Sequence, residues 1–304
     1  MEVKTGFGDQ GLVIGDGDPD AKTADERQGR MAMAGQVYGG CYAVIDEQVR
    51  FYEENGFVQL PDVLNAEEVA ALRRALDVAI EDRKRLQENW GPRGDEGYTK
   101  VFLQMVNVWE RYAAFEEYVL SPRIGEIARR LTRSSHVRLW HDQALIKYPK
   151  DSKATAWHQD KVYWPMQENG ALSCWMALDD VTVENGCMWF IPGSHKLGPL
   201  NPVDLGNAGD ADLLQMLPLG GRESARPHIA EMKAGSCTFH NGLTFHYAGP
   251  NTTDHPRRAM VTIFMPAGTH YMPLEHIVGD RGHLREGEEF HGPLFPVVSR
   301  RDDQ

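Results

Sequence analysis

Val137-Arg138-Leu139-Trp140-His141, then Ala144-Leu145-Ile146-Lys147-Tyr148, then Trp157-His158-Gln159-Asp160 is the stretch that decides how this chain is built. The first two segments are short, rich in strand-forming residues and closed by the turn formers that begin at Pro149. The same texture recurs at Leu172–Leu178, Met188–Ile191, Ser236–Phe239 and Ala259–Phe264. Many short strands separated by Gly/Pro turns predict two packed sheets, a sandwich or jelly roll. The expected class is mainly β with flanking helices.

Helices come first in the chain. One is predicted from Asp46 to about Asn55, stopped by Gly56, and a short strand Phe57–Leu60 follows. Asn65 with Glu68 three residues later is a capping pattern for a long helix, Ala66 to about Asn89, on which Val69, Leu72, Leu76, Ala79 and Ile80 recur at helical spacing. Ser121-Pro122 opens another helix to about Thr132, with proline where its missing N–H costs nothing. Residues 1 to about 35 are rich in Gly and Asp without apolar periodicity, which predicts a mobile tail. The remainder, 36–304, reads as one domain: a helical part over 46–133, a β core over about 137–266 and an extension over 267–304. A longer excursion from Gly198 to Pro227, carrying Leu213, Leu214, Met216 and Leu217, is expected to shape a pocket mouth.

His158 and Asp160 lie two positions apart, so on a strand both would face one side while Gln159 faces out. With a distant second histidine they supply three ligands on one face of an octahedral metal and leave three positions open, the 2-His-1-carboxylate arrangement of non-haem Fe(II) oxygenases. With 12 histidines in 304 residues, about one His-x-Asp arises by chance, so the tripeptide alone proves nothing. Its neighbours carry the weight: Tyr163-Trp164-Pro165 follows closely, and His246-Tyr247-Ala248-Gly249-Pro250-Asn251 leads to Pro256-Arg257-Arg258 and a strand.

On these residues the chain resembles the phytanoyl-CoA dioxygenase family of Fe(II)- and 2-oxoglutarate-dependent oxygenases. The matching segments are Asp46–Leu64, the Trp-His-Gln-Asp block, Glu184-Asn185-Gly186-Cys187-Met188 leading to Pro192-Gly193-Ser194-His195, and His246 through Arg257, together spanning about 46–266. The resemblance implies a double-stranded β-helix, a jelly-roll, cupin-like core. It implies Fe(II), 2-oxoglutarate and O2 as cofactors, with His158, Asp160 and His246 as iron ligands. Arg257, eleven residues past His246, would grip the far carboxylate of 2-oxoglutarate. Iron halogenases of this chemistry carry a small residue where the carboxylate would be; Asp160 therefore favours hydroxylation, with succinate and CO2 released.

An arginine suits that role on physical grounds, because a planar guanidinium forms two parallel charge-assisted bonds to a carboxylate. Arg258 competes, but strand alternation sends the two arginines to opposite faces, so only one enters the site. His240 competes with His246; the Gly-Pro-Asn that follows and the distance to Arg257 favour His246. His195 sits in a Pro-Gly-Ser-His turn and reads as structural, as do His136, His141, His228, His255, His270, His276, His283 and His291. Gln143 and Lys147 share a face of one strand and, with Trp175, are the further cosubstrate candidates the resemblance suggests. Tyr163 and Trp164 are expected at the substrate, and Phe102, Gln104 and Asn107 are candidates from the segment ahead of the Ser121-Pro122 helix.

Bulk properties fit. A formal net charge of -12 argues against nucleic acid, whose phosphates need basic patches. No run approaches the roughly 18 apolar residues of a membrane span. Four cysteines without Cys-x-x-Cys spacing predict reduced thiols, and the N-terminal sequence lacks the pattern of a secretory signal; the expected setting is cytoplasmic. The expected partner is a small molecule, with oligomeric state left open. Two other classes stay open at this level: a cupin-like metal enzyme of non-redox type, which would not need Arg257, and a non-catalytic small-molecule binding module.

Overall fold

The computed structural model describes residues 38–86, 101–150, 152–203, 205, 217, 226–276 and 278–301. In chain order the elements are α1 (Asp46–Asn55), β1 (Phe57–Leu60), α2 (Ala66–Leu86), β2 (Leu103–Val106), α3 (Ala113–Val119), α4 (Pro122–Leu131), β3 (His136–Lys147), β4 (Thr155–His158), β5 (Leu172–Ala177), β6 (Met188–Phe190), β7 (His228–Ala230), β8 (Cys237–Asn241), β9 (His246–Ala248), β10 (Arg257–Pro266) and β11 (Val297–Arg300). The strands form two antiparallel sheets. The larger runs β1-β8-β5-β10-β3-β11 with β2 also paired to β3; the smaller runs β4-β9-β6-β7.

Alternation along the strands of the larger sheet sorts its side chains between two cores. Leu139, Ala144, Cys174, Met176, Phe239, Met260 and Phe264 face the helices, where Leu72 and Leu76 of α2 and Ile124, Ile127 and Leu131 of α4 cover them. Burying each Leu, Ile, Met or Phe among these stabilises the layer by about 2 kcal/mol. Trp175, Ala177, Ala259, Val261 and Ile263 face the other way and meet Phe190 and Met188 of the smaller sheet. The space between the two sheets is where the site lies.

Local chemistry explains the helix ends. Asn65 Oδ1 accepts the N–H groups of Glu67 and Glu68 at 2.9 and 3.0 Å, and Glu68 Oε2 accepts the Asn65 N–H at 2.8 Å. The capping box thus forms, and Glu68 also binds Arg123. Gly56 ends α1 with φ +81°, and a Cβ there would meet His195 Nδ1 at 2.4 Å and Thr244 Oγ1 at 2.5 Å. Only glycine satisfies both the left-handed turn and the close approach.

Three differences from the sequence expectations have physical causes. The two segments Val137–His141 and Ala144–Tyr148 are one strand, β3, because the ladder to β10 runs through them with a register shift between Ile263 and Phe264. The shift gives β3 one extra residue, so Trp140 and His141 both turn toward the inner core instead of alternating. Strands β2, β7 and β11 and helix α3 were not anticipated; at three to seven residues they carry too little period to read. The 1–35 tail, the end of the long helix at Asn89, and Leu213, Leu214 and Met216 lie outside the described residues.

Candidate metal centre

His158 closes β4 and His246 opens β9, and the two are direct register partners in the smaller sheet. Their rings stand 4.1 Å apart. Asp160 is not on the strand. It occupies a helical-region turn (φ -67°, ψ -41°) ahead of the short 3-10 turn Lys161–Tyr163, so the bend, and not the pleat, brings it beside His158. Gln159 departs from expectation as well. It faces away from the site but is buried, its amide donating to the Gly198 and Leu243 carbonyls at 3.0 and 2.7 Å and accepting the Leu200 N–H at 2.7 Å.

His158 Nδ1 donates to the Ala156 carbonyl at 2.7 Å and His246 Nδ1 to the Thr244 carbonyl at 2.9 Å. Both Nε2 lone pairs are therefore left facing Asp160 Oδ1, at 3.5 and 3.7 Å. The other carboxylate oxygen, Oδ2, accepts from Ser173 Oγ at 3.1 Å and from His240 Nε2 at 3.3 Å. Burial works against ionisation of Asp160, but the imidazoles of His246, His158 and His240 around it hold its carboxyl well below the usual range. Burial likewise, with His158 alongside, holds His246 well below an ordinary histidine, so its imidazole is neutral. Two lone pairs and an anion, all within 4.8 Å of one another, repel unless a cation sits among them. Nitrogen, nitrogen and carboxylate oxygen is a donor set that ferrous iron accepts, and backbone acceptors behind both imidazoles are the usual means of fixing such ligands.

Arg257 begins β10 on the inner face, opposite Lys147. It is 2% exposed, lies 5.1 Å over the Trp175 ring, and its Nε and Nη1 find no acceptor among the described residues. Burial lowers its pKa to about 10. Arg258 points the other way and binds Asp179 through two contacts at 2.9 and 3.0 Å. The alternation thus separates the pair as the sequence implied. Lys147 is buried, donates to the Lys153 carbonyl at 2.6 Å, and burial holds its ammonium well below the usual range, with Arg257 adding to the effect.

The other candidates scatter. Gln143 is on the inner face and accepts a hydrogen bond from Gln104. Tyr163 fixes the backbone of Val203, donating to its carbonyl at 2.6 Å and accepting its N–H at 2.9 Å. Trp164 is buried against Gly242, where a Cβ would come within 2.5 Å of the indole. Asn107 takes a left-handed turn and binds Glu110 at 2.7 Å. Phe102 is half-buried ahead of β2. Two residues that sequence reading set aside belong near the centre. His240 holds Asp160, and its place one strand from Ser173 on the inner face becomes legible only with the register. His141 turns inward through the bulge and feels the Asp160 charge.

The model of the phytanoyl-CoA dioxygenase family matches residues 52–259. This chain belongs to that family. Among curated relatives, peroxisomal phytanoyl-CoA dioxygenase of Bos taurus is 27% identical over 247 residues, which is 75% of this chain and 71% of the relative. Among solved structures, the non-haem α-ketoglutarate-dependent carbocyclase SnoK from nogalamycin biosynthesis is 32% identical, covers 86% of this chain and 100% of its own, and superposes with a TM-score of 0.71. The epimerase SnoN in complex with Fe3+, α-ketoglutarate and nogalamycin RO is 32% identical over 83% of this chain and 98% of its own, with a TM-score of 0.68. The double-stranded β-helix, the three converging ligands and these relatives make the chain an iron- and 2-oxoglutarate-dependent dioxygenase. Among the described residues no helix is long and apolar enough to cross a membrane.

Proposed function

We propose that this dioxygenase hydroxylates a small-molecule metabolite at a C–H bond, in the cytoplasm, with His158, Asp160 and His246 holding the iron and Arg257 holding the distal carboxylate of 2-oxoglutarate. Iron with 2-oxoglutarate and O2 supplies oxidative decarboxylation to succinate and CO2 and the oxidising power to remove a hydrogen from carbon. The chain's own residues do the rest. Ser173 and His240 keep Asp160 turned so that one oxygen faces the metal. Lys147 stands beside Arg257 as a second donor at the cosubstrate's far end, and the Trp175 ring forms its wall. Gln143 with Gln104, and Tyr163 with Trp164 at the other side, bound the substrate space; Phe102 and Asn107 stay candidates from the β2 segment.

The observation that carries this reading is the buried guanidinium whose Nε and Nη1 have no acceptor among the described residues, in a chain whose His158, Asp160 and His246 acceptors converge. A non-redox metal enzyme or a binding module has no use for it. The free thiols of Cys174, Cys187 and Cys237 support a reducing compartment. Anaerobic addition of Fe(II) and then 2-oxoglutarate is expected to produce a visible charge-transfer band, and a metabolite screen scored by succinate release should then find the substrate. A protein that binds iron but gives no 2-oxoglutarate-dependent band ends the proposal. Likeness to SnoK and SnoN supports a second outcome, ring closure or epimerisation; turnover under 18O2 separates them, since hydroxylation leaves one labelled oxygen in the product.

A further inference from the structure

On the inner face of the larger sheet, near the His158–Asp160–His246 cluster but not part of it, two imidazoles stand together without an evident task. His141 and His276 are 4% and 9% exposed, with ring centroids 5.5 Å apart. Both pack on Trp140, at 5.6 and 5.0 Å, and Trp140 is itself stacked on Phe295 at 5.4 Å. His141 reaches this position through the β3 bulge, and His276 comes from the segment after β10. In the sheet, His141 pairs with Ile263, and Ile263 with Ser173, which binds Asp160. Two inter-strand steps of about 4.8 Å place His141 roughly 10 Å from Ser173, at the level of the metal ligands.

Their hydrogen bonds fix opposite tautomers. His141 Nδ1 faces the Asp142 carbonyl at 3.2 Å; a carbonyl only accepts, so Nδ1 carries the proton and Nε2 keeps a lone pair. His276 Nδ1 accepts the Val278 N–H at 3.1 Å, so its proton is on Nε2. Among the described residues neither Nε2 has a hydrogen-bond partner, and neither is among the sealed, unsatisfied polar atoms of the interior. The pair therefore carries one donor and one acceptor that the described residues leave unused. Burial holds His141 down to about 4 and His276, beside it, to about 3, so neither ring brings a charge.

We propose that His141 and His276 form a substrate-positioning site for an uncharged hydroxyl group, whose O–H donates to His141 Nε2 while its oxygen accepts from His276 Nε2–H. A carboxylate would find a single donor and a lone pair facing it, and an ammonium a single acceptor and an N–H facing it; each would be desolvated with a mismatch. A hydroxyl matches both rings with one atom. The proposal rests on the oxygenase reading for the location of the substrate, but its test does not depend on turnover.

The experiment is long-range 1H–15N NMR of 15N-histidine-labelled full-length protein loaded with Zn(II) and 2-oxoglutarate. The probes are cyclohexanol, methoxycyclohexane, cyclohexanecarboxylate and cyclohexylammonium at millimolar concentration. His141 should show a protonated Nδ1 and His276 a protonated Nε2. Cyclohexanol should move both Nε2 resonances, the ether that of His276 alone, and the two ions neither. His141→Phe and His276→Phe should abolish the cyclohexanol response while the Fe(II)/2-oxoglutarate band stays. Reversed tautomers, silence toward cyclohexanol, or an equal response to the carboxylate would overturn the site. Loss of the charge-transfer band in wild-type protein, with the histidine responses intact, would instead strike the oxygenase reading and leave this one standing.

Discussion

Replacing Arg257 with methionine should move two quantities in opposite directions. In the protein alone the guanidinium is buried with Nε and Nη1 unpaired. Each such donor costs about 1–3 kcal/mol, offset by about 0.5–2 kcal/mol from the stack on Trp175. Methionine has a comparable length and no polar atoms, so the Zn(II)-loaded variant without 2-oxoglutarate should be more stable by about 1–3 kcal/mol, in line with other replacements of buried charge by apolar side chains. That corresponds to a rise in Tm of about 2–6 °C. With 2-oxoglutarate the difference shrinks or reverses. Truncating one partner of a buried charge pair costs about 2–5 kcal/mol of affinity, or roughly 30- to 4,000-fold, while the wild type gains about 2.7 kcal/mol at a hundredfold excess over its Kd. Thermal unfolding with and without 2-oxoglutarate reads both effects. A variant that is less stable alone, or that keeps the wild-type 2-oxoglutarate shift, refutes the reasoning.

Three further expectations follow from neighbouring residues. His240→Gln should weaken metal binding by about 10- to 100-fold with little change in Tm, because Asp160 Oδ2 loses one of its two holders; competition with a chelator measures it, and an unchanged affinity would remove His240 from the site. Asp142 is fully buried, and burial pushes its carboxyl well above the ordinary 3.8. The folded acid keeps its proton while the unfolded one loses it, so its contribution is present below pH 3.8 and declines as pH rises. Asp142→Asn should therefore stabilise by about 1–3 kcal/mol at pH 7 and by nothing at pH 3.5, and denaturant melts at both values test this. His141 and His276 have the opposite sign: their folded pKa values are depressed from 6.5 to about 4 and 3, so the unfolded chain binds more protons as pH falls below 6.5 and stability is lost there. Each ring should cost roughly 2 kcal/mol by pH 5; a double Phe variant should flatten that slope, and a parallel slope would disprove it.

The sequence was most readable where chemistry and local period coincide. The choice of His158, Asp160 and His246 follows from spacing, although a bend and not the pleat turns Asp160 inward; the Arg257/Arg258 alternation follows from pleat, and the Asn65–Glu68 cap from two side chains acting within one turn. What stayed hidden depends on partners distant in the chain. His240 reads as a spare histidine until the β5–β8 register sets it beside Ser173. His141 and Trp140 look like alternating neighbours until the β10 ladder slips by one residue. His276 lies in a segment without regular structure, where no period exists to read. Pleat alone turns Gln159 outward, as found, but it cannot show that the backbone of residues 198 and 200 covers it there.

That glutamine sits between His158 and Asp160, two of the proposed ligands, and uses both ends of its amide on the chain that starts the long excursion toward residue 227. The excursion is thus fastened to the ligand frame itself and is not an ornament that can be exchanged at will. Grafting a different loop there to alter selectivity would also retune how tightly the metal is seated, unless the graft restores an acceptor for Gln159 Nε2 and a donor for its Oε1.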